Sequence, residues 1–179
     1  MIVALYADGG CVSRNPSPLG LTWAWCAVDE NDRRVIERSG FVPSPGDRLL
    51  TNNHAEQIAI VLALEAMPAG WSGLIYSDSM VALGRVFRGW RCTNLPECII
   101  RRTQAAKHRL GTLRHELLKG HPTKRELAAG IGRNGRRVSS HNVWVDHACS
   151  LQAHQAMNQS SAKEMHGERL CTNNWPMAT

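Results

Sequence analysis

Residues 2–10 read Ile2-Val3-Ala4-Leu5-Tyr6-Ala7-Asp8-Gly9-Gly10. Positions 2–7 are apolar and rich in residues that favour extended backbone, which predicts a strand. Asp8-Gly9-Gly10 predicts its end, and residues 11–18, with Asn15-Pro16 and Pro18, predict a loop. Residues 21–28 (Leu-Thr-Trp-Ala-Trp-Cys-Ala-Val) predict a second strand, residues 29–33 a turn and residues 35–42 a third strand. The opening of the chain therefore reads as an antiparallel meander.

Beyond a Pro/Gly loop at 43–47 the pattern changes. Thr51 or Asn52 can cap a helix in which Ala55, Ile58, Ala59, Leu62 and Ala63 recur at helical spacing to about Met67. Pro68 and Gly70 end it. Residues 74–76 predict a short strand, and Ser79 can cap a helix reaching Phe87. Residues 97–110 predict a basic helix, 112–118 a last strand, 120–141 a long Gly- and Arg-rich loop, and 143–157 a final helix. A meander followed by helix, strand, helix, strand and helix predicts an α/β fold. Its mixed five-stranded sheet would hold three antiparallel strands, then parallel ones, with helices on both faces. The expected division is one domain over 1–157 and a tail, flexible or docked, over 158–179.

Composition narrows the function classes. The chain has 179 residues, 43% hydrophobic and 20% charged, as in a soluble globular protein. No run of 18 apolar residues occurs, and the N-terminal apolar run lacks a basic flank, so the expected protein is cytoplasmic, without a membrane partner and monomeric. Six cysteines without a C-x-x-C pair argue against a zinc ribbon and for free thiols. The net charge of +6 is unevenly placed: residues 85–137 hold 14 of the 21 Lys and Arg against Glu97, Glu116 and Glu126. A basic region on an acidic body has two readings, a polyanionic partner, nucleic acid first, or a solvated helix face.

Four acids stand against apolar segments: Asp8 and Asp78 after predicted strands, Glu56 on an apolar helix, and Asp146 after Val143-Trp144-Val145. In open α/β sheets, ligands gather at the carboxyl ends of parallel strands. If strands one and four pair, Asp8 and Asp78 become neighbours there, with Glu56 and Asp146 arriving from helices. Carboxylates so gathered repel unless cations hold them together. Hard oxygen ligands suit Mg²⁺ or Mn²⁺, and two such ions suit phosphodiester hydrolysis.

Four stretches carry a family resemblance over about residues 1–157. They are Tyr6-Ala7-Asp8-Gly9-Gly10-Cys11 with Asn15-Pro16-x-Pro18 and Gly20; Thr51-Asn52-Asn53-x-x-Glu56 with Ala63-Leu64-Glu65; Ser77-Asp78-Ser79 with Val81; and Lys119-Gly120-His121 with Asn142-x-x-x-Asp146. The chain resembles type 1 ribonuclease H. The resemblance implies the ribonuclease H-like fold and cleavage of the RNA strand of RNA–DNA hybrids, leaving 5′-phosphate and 3′-hydroxyl ends. It implies Asp8, Glu56, Asp78 and Asp146 as metal-binding catalytic acids for two Mg²⁺ or Mn²⁺ ions, and His121 as a mobile histidine assisting proton transfer or product release. It further implies that Gly9, Cys11, Asn15, Asn52 and Asn53 line the hybrid's minor groove, and that Thr51 with Asn15 holds a DNA phosphate. Helix capping is the alternative reading for Thr51 and Asn52.

The chain also departs from that pattern. One extra residue and a bulky Arg14 lie between Asp8 and Asn15, Met80 replaces a common glutamine, and residues 88–96 are too few for a basic protrusion. The long segment between His121 and Asp146 carries Lys124, Arg125, Arg133, Arg136 and Arg137, and is expected to be a flexible loop that either partly replaces the protrusion or only solubilises the chain. Two other readings remain: a DNA nuclease on the same fold, and a binding module without catalysis.

Overall fold

The computed structural model describes residues 1–44, 50–91 and 95–166, with side chains through residue 159. The elements are β1 (Ile2–Cys11), β2 (Gly20–Asp29), β3 (Arg34–Pro43), α1 (Asn52–Glu65), β4 (Gly73–Ser77), α2 (Met80–Phe87), α3 (Glu97–Arg109), β5 (Leu113–Leu117), α4 (Lys124–Ala129) and α5 (Ser140–His166). The strands form one sheet in the order β3-β2-β1-β4-β5. β1 pairs antiparallel with β2 and parallel with β4, and β4 pairs parallel with β5, which is the mixed sheet expected.

Side-chain alternation along the strands builds a core on each face. Leu5, Ala7, Leu21, Trp25, Ala27 and Ile75 pack with Ile58, Leu62, Leu83 and Ile99 of α1, α2 and α3. Ala4, Tyr6, Ala24, Cys26, Val28 and Tyr76 point the other way, against Val145, Ala148 and Cys149 of α5. Helices thus cover both faces. α1 is buried nearly all round, from His54 to Leu64, because α3 packs on it from outside. Burying each of its Ile and Leu side chains contributes about 2 kcal/mol.

Three sequence expectations are corrected. β1 does not stop at Asp8: it continues through Gly9 and Gly10, paired with Trp23 and Thr22, to Cys11. A Cβ on Gly9 would lie 2.2 Å from the Ala55 carbonyl carbon, so this glycine lets α1 press onto the strand rather than breaking it. Residues 120–141 are not one flexible loop. They contain α4, opened by a capping box in which Thr123 Oγ1 accepts from the Glu126 N–H and Glu126 accepts from the Thr123 N–H, and closed by Gly130 at φ 70°. The final helix is longer than residues 143–157. Ser139 Oγ accepts the His141 N–H at its start, and no Gly or Pro interrupts the chain before Gly167.

Cys11, Cys26, Cys98 and Cys149 are free thiols, as expected. Cys92, Cys171, Trp175 and most of the Pro/Gly loop lie outside the described residues, as does part of the segment read as too short for a protrusion. Among the described residues no helix is long and apolar enough to cross a membrane.

Candidate active site

The parallel ladder between β1 and β4 ends at Tyr6 opposite Tyr76. Two residues further along each strand come Asp8 and Asp78, side by side beyond the last rung. Glu56 enters from α1, brought close by the bare backbone of Gly9. A ligand oxygen from each of Asp8, Glu56 and Asp78 lies within 4.8 Å of the others. Asp146 enters from α5, with Oδ2 3.4 Å from His121 Nδ1. These five side chains line one cleft of about 370 Å³, together with Gly9, Gly10, Cys11, Thr22, Asn52, Gly120 and Cys149.

Each group is held locally. Asp8 Oδ1 accepts the Gly9 N–H at 2.7 Å. Asp78 Oδ2 accepts from Asn142 Nδ2 at 3.4 Å. Gly120 passes so near that a Cβ there would lie 2.4 Å from Asp78 Oδ2. His121 follows with φ 45°, a left-handed conformation unusual for a side-chain-bearing residue, and its imidazole is 81% exposed.

The remaining expected contacts divide. Cys11 N–H donates to Asn52 Oδ1 at 2.9 Å, and Asn15 Oδ1 accepts from Asn52 N–H at 3.4 Å, so these three form one knot at the rim. Thr51 caps α1, and its N–H donates to His54 Nδ1 at 3.1 Å. Asn53 is half-buried in the first turn of α1. Cys11, Asn52 and Gly9 line the cleft, whereas Asn15, Thr51 and Asn53 stand outside its lining. Met80, at the start of α2, is exposed.

The electrostatics are those of crowded, buried acids. Burial pushes Asp8 well above the ordinary carboxylate range, and Asp78, Glu56 and Asp146 add to the rise. Burial likewise raises Glu56 to about 7; a hydrogen bond from Ser79 and the charge of Arg85 oppose the rise, and Asp78 adds to it. Asp78 is raised, again mainly by burial, against the bond from Asn142 and the nearby His121. Glu56 Oε2 is buried without a hydrogen-bond partner, and so are Arg85 Nε and Nη1 and Asn142 Oδ1. The donor set is all carboxylate oxygen, and one Glu56 oxygen is orphaned. This arrangement fits a hard divalent cation.

The sequence reading did not single out Ser79, Arg85 or Asn142 as site groups. Asn142 stood in a quoted motif and Ser79 had been read only as a cap. Nothing in the local sequence around Arg85 marks it, since its place beside Glu56 depends on how α2 packs against α1.

No protein-family model matches the chain. Among curated proteins, the ribonuclease H of Syntrophus aciditrophicus is 35% identical over 88 residues, covering 49% of this chain and 45% of that one. The ribonuclease H of Rhodopirellula baltica is 36% identical over 88 residues, covering 49% and 50%. Over these residues the chain is similar to ribonucleases H. It spans about half the length of the curated relatives it matches. The ribonuclease H fold extends further than this alignment. The N-terminal RNase H domain of a Mycobacterium tuberculosis protein superposes with a TM-score of 0.59 at 16% identity, covering 88% of this chain and 99% of that one. LC11-RNase H1, solved in complex with an RNA/DNA hybrid, superposes with a TM-score of 0.59 at 19% identity, covering 86% and 98%.

Proposed function

We propose that the cleft is the active site of a divalent-metal-dependent endonuclease that hydrolyses the RNA strand of RNA–DNA hybrids. The observation that carries this reading is the convergence of Asp8, Glu56 and Asp78 within 4.8 Å, all with raised carboxyl pKa values. Burial and mutual repulsion make that cluster costly unless cations neutralise it. Similarity to ribonucleases H supports the substrate class.

Asp8, Glu56, Asp78 and Asp146 would hold two Mg²⁺ or Mn²⁺ ions. When bound, such ions supply an activated water and neutralise charge on the leaving oxygen. The protein's own groups do the rest. Asn142 holds the Asp78 carboxylate by a hydrogen bond, and Gly120, having no side chain, leaves the space that carboxylate occupies. His121, exposed at the mouth and 3.4 Å from Asp146, is placed to take a proton from a water or hand one to the departing hydroxyl. The knot of Cys11, Asn15 and Asn52 presents small polar groups at the rim, suited to the 2′-hydroxyls of a shallow minor groove. Gly9 and Asn53 belong to the same rim, and Thr51 with Asn15 would meet a DNA phosphate. The products would carry 5′-phosphate and 3′-hydroxyl ends, and residues 1–157 would suffice as the nuclease unit.

The test is cleavage of end-labelled RNA–DNA hybrid, duplex DNA and duplex RNA of one sequence in Mg²⁺ and in Mn²⁺. Cleavage confined to the RNA of the hybrid is expected. Equal cleavage of duplex DNA, or none of any substrate, would reject the reading.

A further inference from the structure

The segment from Thr123 to Val138 departs from a bare loop in a way that suggests a use. It starts two residues after His121, and it is rigidly built. Glu126 accepts from the N–H groups of Thr123 and Arg133, Gly132 N–H donates to the Arg136 carbonyl, and Ile131 bridges to Arg137. Two links tie it to the body. Lys119 N–H donates to the Arg137 carbonyl, and the Arg137 guanidinium donates to Tyr76 Oη at 2.7 Å while lying over its ring.

These bonds engage the segment's one acid and one of its cations. The Glu126 carboxylate accepts two N–H groups and the Thr123 hydroxyl, so three of its about four acceptor sites are filled within the segment. Lys124, Arg125, Arg133 and Arg136 are exposed. Two of them, Arg125 and Arg133, line a single hollow of about 540 Å³ between α4 and the following turn. Thr123, Glu126, Ala129, Ile131 and Gly132 complete its lining, the Glu126 carboxylate being engaged by the segment's own N–H groups, and Ile131 is 53% exposed. Two arginines beside an exposed isoleucine match one repeating unit of a nucleic-acid strand: a phosphate for the arginines, a sugar or base face for the isoleucine.

We propose that this folded insert is a second nucleic-acid contact, which seats a backbone phosphate of the bound hybrid between Arg125 and Arg133, outside the acidic cleft. The inference rests on the nuclease reading of the cleft. It assigns the insert a firm grip rather than a loose electrostatic one, because capping and the Arg137–Tyr76 tie hold the backbone that carries the two arginines before substrate arrives. The partner is a strand that continues out of the cleft past His121, so the contact exists only for a hybrid long enough to reach it.

The experiment compares the unaltered chain with R125A/R133A on hybrids of about 6 and about 20 base pairs, at several salt concentrations. Both substitutions keep the Arg133 N–H that bonds Glu126, and thermal melting checks the fold. The expected result is a raised KM on the long hybrid, with the slope of log KM against log salt reduced by roughly 0.7 to 0.9, the value for one lost phosphate contact. The short hybrid should be cleaved alike by both proteins. The charge-reversed R125E/R133E should raise KM further on the long hybrid alone. An unchanged slope on the long hybrid, or an equal loss on both lengths, would overturn the insert's role while leaving the nuclease intact. Failure of the unaltered chain to cleave any hybrid would overturn both.

Discussion

Glu56→Gln offers a direct reading of the strain in the acidic cluster. Burial next to Asp78 raises the Glu56 carboxyl from 4.5 to about 7. A proton held more tightly in the folded state stabilises the fold below pH 4.5, and that stability is lost as pH rises through 7. The difference of about 2.5 units, at 1.36 kcal/mol each, is about 3 kcal/mol. Glutamine is a neutral stand-in for the protonated acid and carries no such loss. Urea unfolding in EDTA, from pH 4.5 to 8, should therefore show the unaltered protein losing about 3 kcal/mol relative to E56Q. The raised pKa of Asp8 is present in both proteins and largely cancels. Its coupling to Glu56 enlarges the gap, since removing one charge relieves the other. Adding Mg²⁺ at pH 8 should restore stability to the unaltered protein and less to E56Q, because binding to the folded state alone stabilises it by mass action. Parallel stability curves for the two proteins in EDTA would refute the reasoning.

Asn142→Ala removes the amide that bonds Asp78 and should weaken Mn²⁺ binding about tenfold, the low end for losing a group that orients a metal ligand, as read by calorimetric titration. Arg85→Met removes the cation that favours ionised Glu56, so Mn²⁺ affinity should fall about tenfold at pH 6.5 and recover toward pH 8.5; a pH-independent loss would mean that Arg85 acts through packing. Glu126 is held down to about 2 by N–H groups of Thr123 and Arg133, so its contribution to the insert is present above pH 4.5 and lost as pH falls toward 2. The protection factor of the Arg133 amide, its exchange rate relative to the intrinsic rate at each pH, should fall over that range and already be low in E126Q at pH 7.

Much of this molecule was legible because its fold is written in periodicities. The meander, the Ser79 cap and the alternation of β1 follow from local chemistry, and the strand order places Asp8 beside Asp78. Other features needed the assembled structure. Gly9-Gly10 has the composition of a turn, yet it pairs with β2 inside β1, and α1 packs against Gly9 at a distance no Cβ permits. The Thr123-x-x-Glu126 capping box was readable, but it opens a helix of only six residues among glycines and arginines, where composition suggests a loop. The acids announced themselves by standing beside apolar runs. Asn142 and Arg85 did not, because an amide or guanidinium gains its role only when a helix distant in sequence brings it to a carboxylate. His121 was named from its Lys-Gly-His setting, and the structure adds why glycine precedes it: Asp78 occupies the space where a side chain would be.

The most direct measurement is hybrid cleavage by the unaltered chain and by Asp8→Asn as Mg²⁺ or Mn²⁺ is titrated from zero, with hybrid binding followed in parallel by fluorescence anisotropy. If the buried acids are a cation site for phosphodiester hydrolysis, the unaltered chain cuts the RNA strand only once metal is added, and D8N binds hybrid but does not cut it at any metal concentration. Cleavage in EDTA, or full activity in D8N, would contradict that assignment.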